Sequence, residues 1–314
     1  MKDLNKFLWV MVWWAIWDAL WEPVEFLNID EFERVDKYYH ENPNTKKPFW
    51  EWTDDTAMAL IIADSLIRCK GFDIEDQLAW YFKWHKDWWM GLKDYPEWEW
   101  VQISKMLTFY WLYMEDRLED KPRETDLSWE YMDWNGSLMR IGPVPLYYSE
   151  DPKKAVFYAW ESSKSTHHTM ICIDACKYFA GLIIWAMNGV TKEELLTPYY
   201  SPISKDYRKE NSMATELIPI IEWSYKNKDR YQINPSWYVV ETLEAVLWWF
   251  YNWENFKDWM EKTVNLWLDA DTTWCIYWYL AWAYYGYDNI PQERKDWLAD
   301  RERIEDYAKK LYES

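Results

Sequence analysis

Leu268-Asp269-Ala270-Asp271-Thr272-Thr273-Trp274-Cys275-Ile276-Tyr277-Trp278-Tyr279-Leu280-Ala281-Trp282-Ala283-Tyr284-Tyr285-Gly286-Tyr287 is the stretch whose reading decides the fold. Trp274, Trp278 and Trp282 recur every four residues, so they stack on one face of a helix. Asp and Thr immediately before them suit a helix start, where their oxygens cap free N–H groups and their charge meets the positive end of the dipole. The segment therefore reads as an apolar helix with an oxygen-rich corner at its beginning.

The same reading extends outward. Val10-Met11-Val12-Trp13-Trp14-Ala15-Ile16-Trp17-Asp18-Ala19-Leu20-Trp21-Glu22-Pro23 is a helix that turns into a loop at the proline. Residues 55–69 place Met58, Ile61, Ile62, Ser65 and Leu66 on one stripe, residues 171–187 form a mostly apolar helix, and residues 239–251 form another. Thr191 and Glu194 make a capping box for a short helix after Gly189. Period-two alternation is scarce, so the expected class is all-α, with loops at helix ends carrying the polar clusters. No Pro/Gly/Ser linker divides the 314 residues, and the wettest stretch, residues 196–235, reads as a long connection between helices. One domain over residues 1–314 is expected.

A formal charge of −19 argues against a sequence-independent grip on a nucleic-acid backbone. It still permits a small phosphorylated ligand, which backbone N–H groups and cations neutralise locally. Cys69, Cys172, Cys176 and Cys275 lack zinc spacing and read as reduced thiols in a cytoplasmic protein. Neither residues 7–17 nor residues 274–285 reach the roughly 20 apolar residues of a membrane span. Oligomeric state is open.

Glu51-Trp52-Thr53-Asp54-Asp55-Thr56 forms a second acidic corner before the 55–69 helix. Each corner alone is explained by capping. Together they supply two sets of carboxylates with neighbouring hydroxyls, an all-oxygen donor set suited to Mg²⁺ or Mn²⁺. Adjacent carboxylates repel unless a cation or proton intervenes. Spacing alone does not make the corners meet.

Over residues 7–297 the chain resembles the ADP-ribosylglycohydrolase family, most weakly at 28–47, 90–130 and 197–234. The T-D-D-T and D-x-D-T-T segments carry the resemblance, and it implies a two-metal centre, two Mg²⁺ or alternatively Mn²⁺, at Thr53, Asp54, Asp55, Asp269, Asp271 and Thr272. Trp134-Asn135-Gly136-Ser137-Leu138-Met139-Arg140 resembles the family's G-N-G-[SA]-x-M-R loop near the ADP-ribose. Ser165-Thr166-His167 resembles its T-H segment, and Ser236-Trp237-Tyr238-Val239-Val240-Glu241-Thr242-Leu243 its S-G-Y-V-x-[DE]-T-L segment. Asn135, Gly136, Ser137, His167 and Tyr238 are thereby implied ligand contacts, with the pyrophosphate on amides of the 135–140 loop. Arg140 braces its loop, and Asp18 organises the first loop as a weaker ligand candidate. Glu25 matches a family glutamate close to the metals, as ligand or acid/base; Glu22 fits less well.

The implied reaction is hydrolysis of the glycosidic bond between ADP-ribose and an acceptor, a protein side chain such as Arg or Ser or a small conjugate. Glu25, Asp54 and Asp55 are the catalytic candidates, and Glu25 or a metal-bound aspartate manages the proton. Two alternatives stay open: a family member that binds ADP-ribose or serves structurally without turnover, and a binuclear-metal phosphoesterase acting on a nucleotide.

The chain holds 29 tryptophans and 7 glycines, where an average chain carries about 7% glycine. Trp13, Trp14, Trp17, Trp21, Trp134, Trp237, Trp267, Trp274, Trp278 and Trp282 stand where the family segments have glycine or where small residues let helices approach. The expectation is a gene that spells glycine with UGA, rendered with tryptophan at those codons. Trp52 fits the family as a true tryptophan.

Overall fold

The structure, a computed structural model, describes residues 2–21, 50–87, 90–92, 101–115, 133–198, 213–253, 269–285 and 292–314. Of residues 21, 101, 102, 270, 271 and 292–294 the backbone alone is described. Glu22, Glu25 and Trp267 lie outside the described residues.

Helices follow one another among the described residues: α1 (Leu4–Trp21), α2 (Asp54–Cys69), α3 (Ile74–Asp87), α4 (Val101–Met114), α5 (Pro143–Tyr147), α6 (Pro152–Ser163), α7 (Met170–Met187), α8 (Lys192–Leu195), α9 (Ile218–Ile221), α10 (Val239–Asn252), α11 (Ala270–Tyr285), α12 (Gln292–Trp297) and α13 (Arg301–Glu313), of which α1, α2, α7, α8, α10 and α11 are those read individually from the sequence. Among the described residues there is no strand, only an isolated antiparallel bridge between Trp134 and Tyr238. The fold is all-α.

Local chemistry sets the ends. Helix α2 begins at its acidic pair and closes through Lys70, which takes a left-handed conformation (φ 53°), with Gly71 N donating to the carbonyl of Leu66 at 3.0 Å. The hydroxyl of Thr169 accepts from Cys172 N to open α7, and Gly189 in the left-handed region (φ 78°) leads the chain out of it. Thr191 accepts from Glu194 N and opens α8. In the 196–235 connection, the described part carries α9 and three short 3₁₀ turns rather than plain loop.

The core runs along α1, α7, α10 and α11. Helix α11 packs against α1 on one side and against α7 and α10 on others; α13 covers α1 and α2. Helix α7 has a mean hydropathy of 1.6 over Met170–Met187 and is 72% buried, so its apolar length is spent on this core.

The α1–α11 interface is filled by indoles. Trp17 stacks on Trp278 at 5.1 Å, Trp13 on Trp282 at 5.4 Å, and Trp14 on Tyr279 at 5.4 Å. Trp249, Trp253 and Trp274 form a second stack between α10 and α11. The Tyr279 ring is pressed against backbone: a Cβ on Gly142 would stand 1.9 Å from its Cε1. This packing sets the last turn of α1 and the first turn of α11 beside the start of α2.

Candidate functional site

Asp18, in the last turn of α1, is fully buried. Its carboxylate accepts from the amide of Thr53 at 2.9 Å, the amide of Thr56 at 3.0 Å and the Thr53 hydroxyl at 2.7 Å. The Thr56 hydroxyl donates to it as well. One carboxylate on α1 thus caps the N-terminus of α2, a role that Thr53, the local N-cap residue, does not perform with its own side chain. The proton of Thr53 Oγ1 is spent on Asp18, so that oxygen presents lone pairs away from it. Asp54 and Asp55 follow in the first turn of α2, both buried.

The second corner meets the first. The Thr272 hydroxyl donates to Asp55 Oδ2 at 3.3 Å, across 217 residues of sequence. Asp269 is fully buried and accepts from Asn135 Nδ2 at 2.5 Å. The same amide group donates to Thr242 Oγ1 at 3.0 Å, so Asn135 ties its loop to the starts of α10 and α11 together. Asp271 lies in the first turn of α11, with its side chain outside the described residues.

These groups suit a hard cation. Thr53, Asp54, Asp55, Asp269 and Thr272 offer oxygen only, and three carboxylates drawn out of water at two helix starts call for positive charge. Among the described residues no three His, Cys, Asp or Glu side chains gather into a ligand cluster. The donor set that fits is completed by threonine hydroxyls and, in sequence, by Asp271.

Residues 133–142 bound the site on another side. Asn135 N donates to the carbonyl of Trp237 at 3.0 Å, and Val239 N to that of Asp133 at 2.9 Å, which pins this loop to the start of α10. The amides of Leu138 and Met139 turn inward to the carbonyl of Asn135. Tyr238 is half-buried at the same junction, and burial raises its phenol above the ordinary value of 10.0.

Behind the loop is a polar core. Arg140, fully buried, donates to the carbonyl of Gly136 at 3.1 Å, to Ser165 Oγ at 3.0 Å and to Thr166 Oγ1 at 2.6 Å, and its guanidinium lies 4.9 Å from the Tyr81 ring centre. Ser163 and Ser137 share a hydroxyl contact at 2.9 Å, and the Cys176 thiol reaches Ser137 at 3.4 Å. Burial pushes that thiol up to about 11, so it stays protonated and structural. His167 is 1% exposed, with Nδ1 2.7 Å from Thr166 Oγ1. Burial, then Arg140 and His168, hold its ring well below the ordinary 6.5, so it is neutral.

The structure thus joins Thr272 to Asp55 and Asn135 to Asp269, with Thr53 and Asp54 next to Asp55 in the chain; Gly136 and Ser137 follow Asn135, His167 faces Gly136, and Tyr238 is bridged to Trp134 at the start of that loop. Glu25 lies outside the described residues. The sequence reading did not give Asp18 its capping role, nor Thr242 and Thr166 theirs. Thr242 and Thr166 sat inside the motifs already quoted, but a hydroxyl's partner is not written in its neighbours.

Comparison with known proteins adds the lineage. A model of the ADP-ribosylglycohydrolase family matches residues 4–314. The chain is 39% identical over 253 residues to the ADP-ribosyl-dinitrogen reductase glycohydrolase of Rhodospirillum rubrum, covering 79% of this chain and 72% of that one. It is 27% identical over 266 residues to an ADP-ribosylarginine hydrolase of Serratia proteamaculans, covering 83% of this chain and 67% of the relative, about two thirds of its length. A solved structure titled ADP-ribosylglycohydrolase-related protein complex superposes with a TM-score of 0.78 at 28% identity, over 99% of this chain and 98% of that one. With the family match spanning the two acidic corners, the 133–142 loop and the His167 segment alike, the chain belongs to the ADP-ribosylglycohydrolase family.

Proposed function

We propose that the chain, a glycosidase of this family, hydrolyses the bond between ADP-ribose and an acceptor nitrogen or oxygen and releases ADP-ribose. The observation that carries the reading is the junction of the two oxygen-rich corners through Thr272 and Asp55, with the 133–142 loop tied to the second corner through Asn135 and Asp269. Arginine-linked ADP-ribose is the first substrate to try, because the Serratia relative is named for it.

Asp54, Asp55, Asp269 and Asp271, with the hydroxyls of Thr53 and Thr272, would hold two Mg²⁺ or Mn²⁺ ions. Bound there, such ions supply Lewis acidity, ribose-hydroxyl orientation and an acidified water. Asp18 keeps the corner rigid by holding Thr53 and Thr56. Asn135 holds Asp269 in one rotamer, so the carboxylate is already aimed before substrate arrives. The amides of Gly136 and Ser137 face the pyrophosphate, and Tyr238 borders the ligand. Glu25 or one of the aspartates transfers the proton to the leaving acceptor.

Product analysis tests this against its rivals. Incubation with ADP-ribosylated arginine, serine and small conjugates, with each metal, is expected to yield free ADP-ribose. AMP as product assigns a phosphoesterase instead, and binding without product assigns a non-catalytic member. Release undiminished by chelation removes the metal centre.

We also infer that the natural polypeptide carries glycine at many tryptophan positions. The backbone supports this at a site that no motif covers: Trp223, after α9, takes φ 74° and ψ 26°, the left-handed region that glycine enters freely and a bulky residue enters only at a cost. In the core, the indole N–H of Trp14 is buried with no hydrogen-bond acceptor among the described residues. Trp52, unlike Trp14, donates its N–H to the carbonyl of Ala299 at 3.0 Å; Trp223 also donates, to the carbonyl of Leu196, so it is the backbone conformation that sets Trp223 apart. The gene decides the matter. UGA is expected at codons 13, 14, 17, 223, 274, 278 and 282 and UGG at codon 52; UGG throughout sinks the inference.

A further inference from the structure

Arg140, Thr166 and His167 form a chain of hydrogen bonds in which the Arg140 donation is fixed and the direction of the Thr166–His167 bond follows from it by preference. A guanidinium only donates, so Arg140 Nη2, 2.6 Å from Thr166 Oγ1, fills a lone pair of that oxygen. Its charge polarises the hydroxyl and strengthens it as a donor. His167 Nδ1 lies 2.7 Å from the same oxygen. A second donor directed at an oxygen already facing a cation is disfavoured, so Thr166 donates and Nδ1 accepts. A neutral ring whose Nδ1 accepts carries its proton on Nε2.

That Nε2 is buried and has no hydrogen-bond partner among the described residues. It faces Gly136: a Cβ there would stand 3.0 Å from Nε2 and 2.9 Å from Cε1. A side chain at Gly136 would press on this ring and on Ile103, whose Cδ1 would stand 3.3 Å from the same Cβ. Asn135, the next residue, grips Asp269. A donor unfilled among the described residues thus lies beside the loop that reaches the second acidic corner, and a ligand oxygen placed there would return the free energy of leaving it unfilled.

We propose that Arg140 and Thr166 are positioning residues that lock His167 in the Nε2–H tautomer, so that Nε2–H donates to an oxygen of bound ADP-ribose beside Gly136. This rests on ADP-ribose being the ligand of the site. Ser165 supports the relay: its hydroxyl donates to the carbonyl of Ser162 at 2.8 Å while accepting from Arg140, so the guanidinium is held from two sides.

Nitrogen-15 NMR of the full-length, histidine-labelled chain reads the tautomer directly, with His167→Gln assigning the signal. The wild type is expected to show neutral Nε2–H, Thr166→Ser to keep it, and Thr166→Val to shift the ring toward Nδ1–H. Titration with ADP-ribose is expected to move the Nε2–H resonance, and Thr166→Val to weaken ADP-ribose binding about tenfold, the loss of one hydrogen bond. Nδ1–H in the wild type overturns the proposal, even if Thr166→Val does not fold. An unshifted tautomer in folded Thr166→Val overturns it too, as do His167 signals unmoved by saturating ADP-ribose. If the tautomer and titration behave as expected while no conjugate is hydrolysed, the relay stands and the glycohydrolase reading falls alone.

Discussion

Asp18 shows how much a single buried carboxylate can organise. It accepts from two amides and two hydroxyls at the start of α2. Asp18→Ala strips all four donors of their acceptor inside the protein. Each unpaired buried group costs about 1 to 3 kcal/mol, so a total loss of about 4 kcal/mol is expected in urea unfolding. A loss under about 1 kcal/mol would mean that water replaces the carboxylate. Asn135 acts on chemistry as well as on stability, because its amide aims Asp269 while tying the loop to Thr242. Asn135→Ala is expected to lower ADP-ribose release about 10- to 100-fold, the usual effect of removing a group that orients a ligand side chain. Unchanged turnover would show that Asp269 keeps its aim without help.

Helices bring these residues together only if they pack at the observed distances. Among the described glycines Gly142 is the most closely covered, by the Tyr279 ring, and Gly142→Ala forces either the α5 entry or α11 to move. Overpacking of this kind costs about 1 to 3 kcal/mol, and because α11 carries Thr272 the shift is expected to reduce activity as well. A variant with wild-type melting temperature and turnover would show that Tyr279 rotates freely. The indole stacks between α1 and α11 press on the same ring through Trp14. Glycine at those positions removes that pressure, so a chain with glycine restored is expected to tolerate Gly142→Ala better than the tryptophan-rich chain; equal losses in both would exclude the stacks as its source.

Over the whole molecule, buried titratable rings bound the pH range of stability. His167 has a folded value well below its ordinary 6.5, set first by burial and then by Arg140 and His168. As pH falls through about 6.5 the unfolded chain takes up a proton that the folded ring refuses, so stability declines from there downward. Tyr277 and Tyr279 are raised well above 10.0 by burial; beyond that pH the unfolded chain releases protons that the folded chain keeps, and stability declines upward. Urea midpoints measured across this range are expected to plateau between the two limits, and His167→Gln to flatten the acid side. An acid limb unchanged in His167→Gln would assign that limb to other groups. Helix type and the oxygen-rich corners were legible in the chain because periodicity and end-capping act over four residues or fewer. The shared acceptor Asp18 was not, since it depends on what an element 35 residues away places nearby, and left-handed Trp223 and the local turn at Asn135 have no periodic signature in the chain. The residues dictated two acidic helix starts; only packing joined Asp55 to Thr272 across 217 positions and Asn135 to Asp269 across 134, because contacts at such separations are fixed by how α1, α2, α10 and α11 bury their apolar faces together.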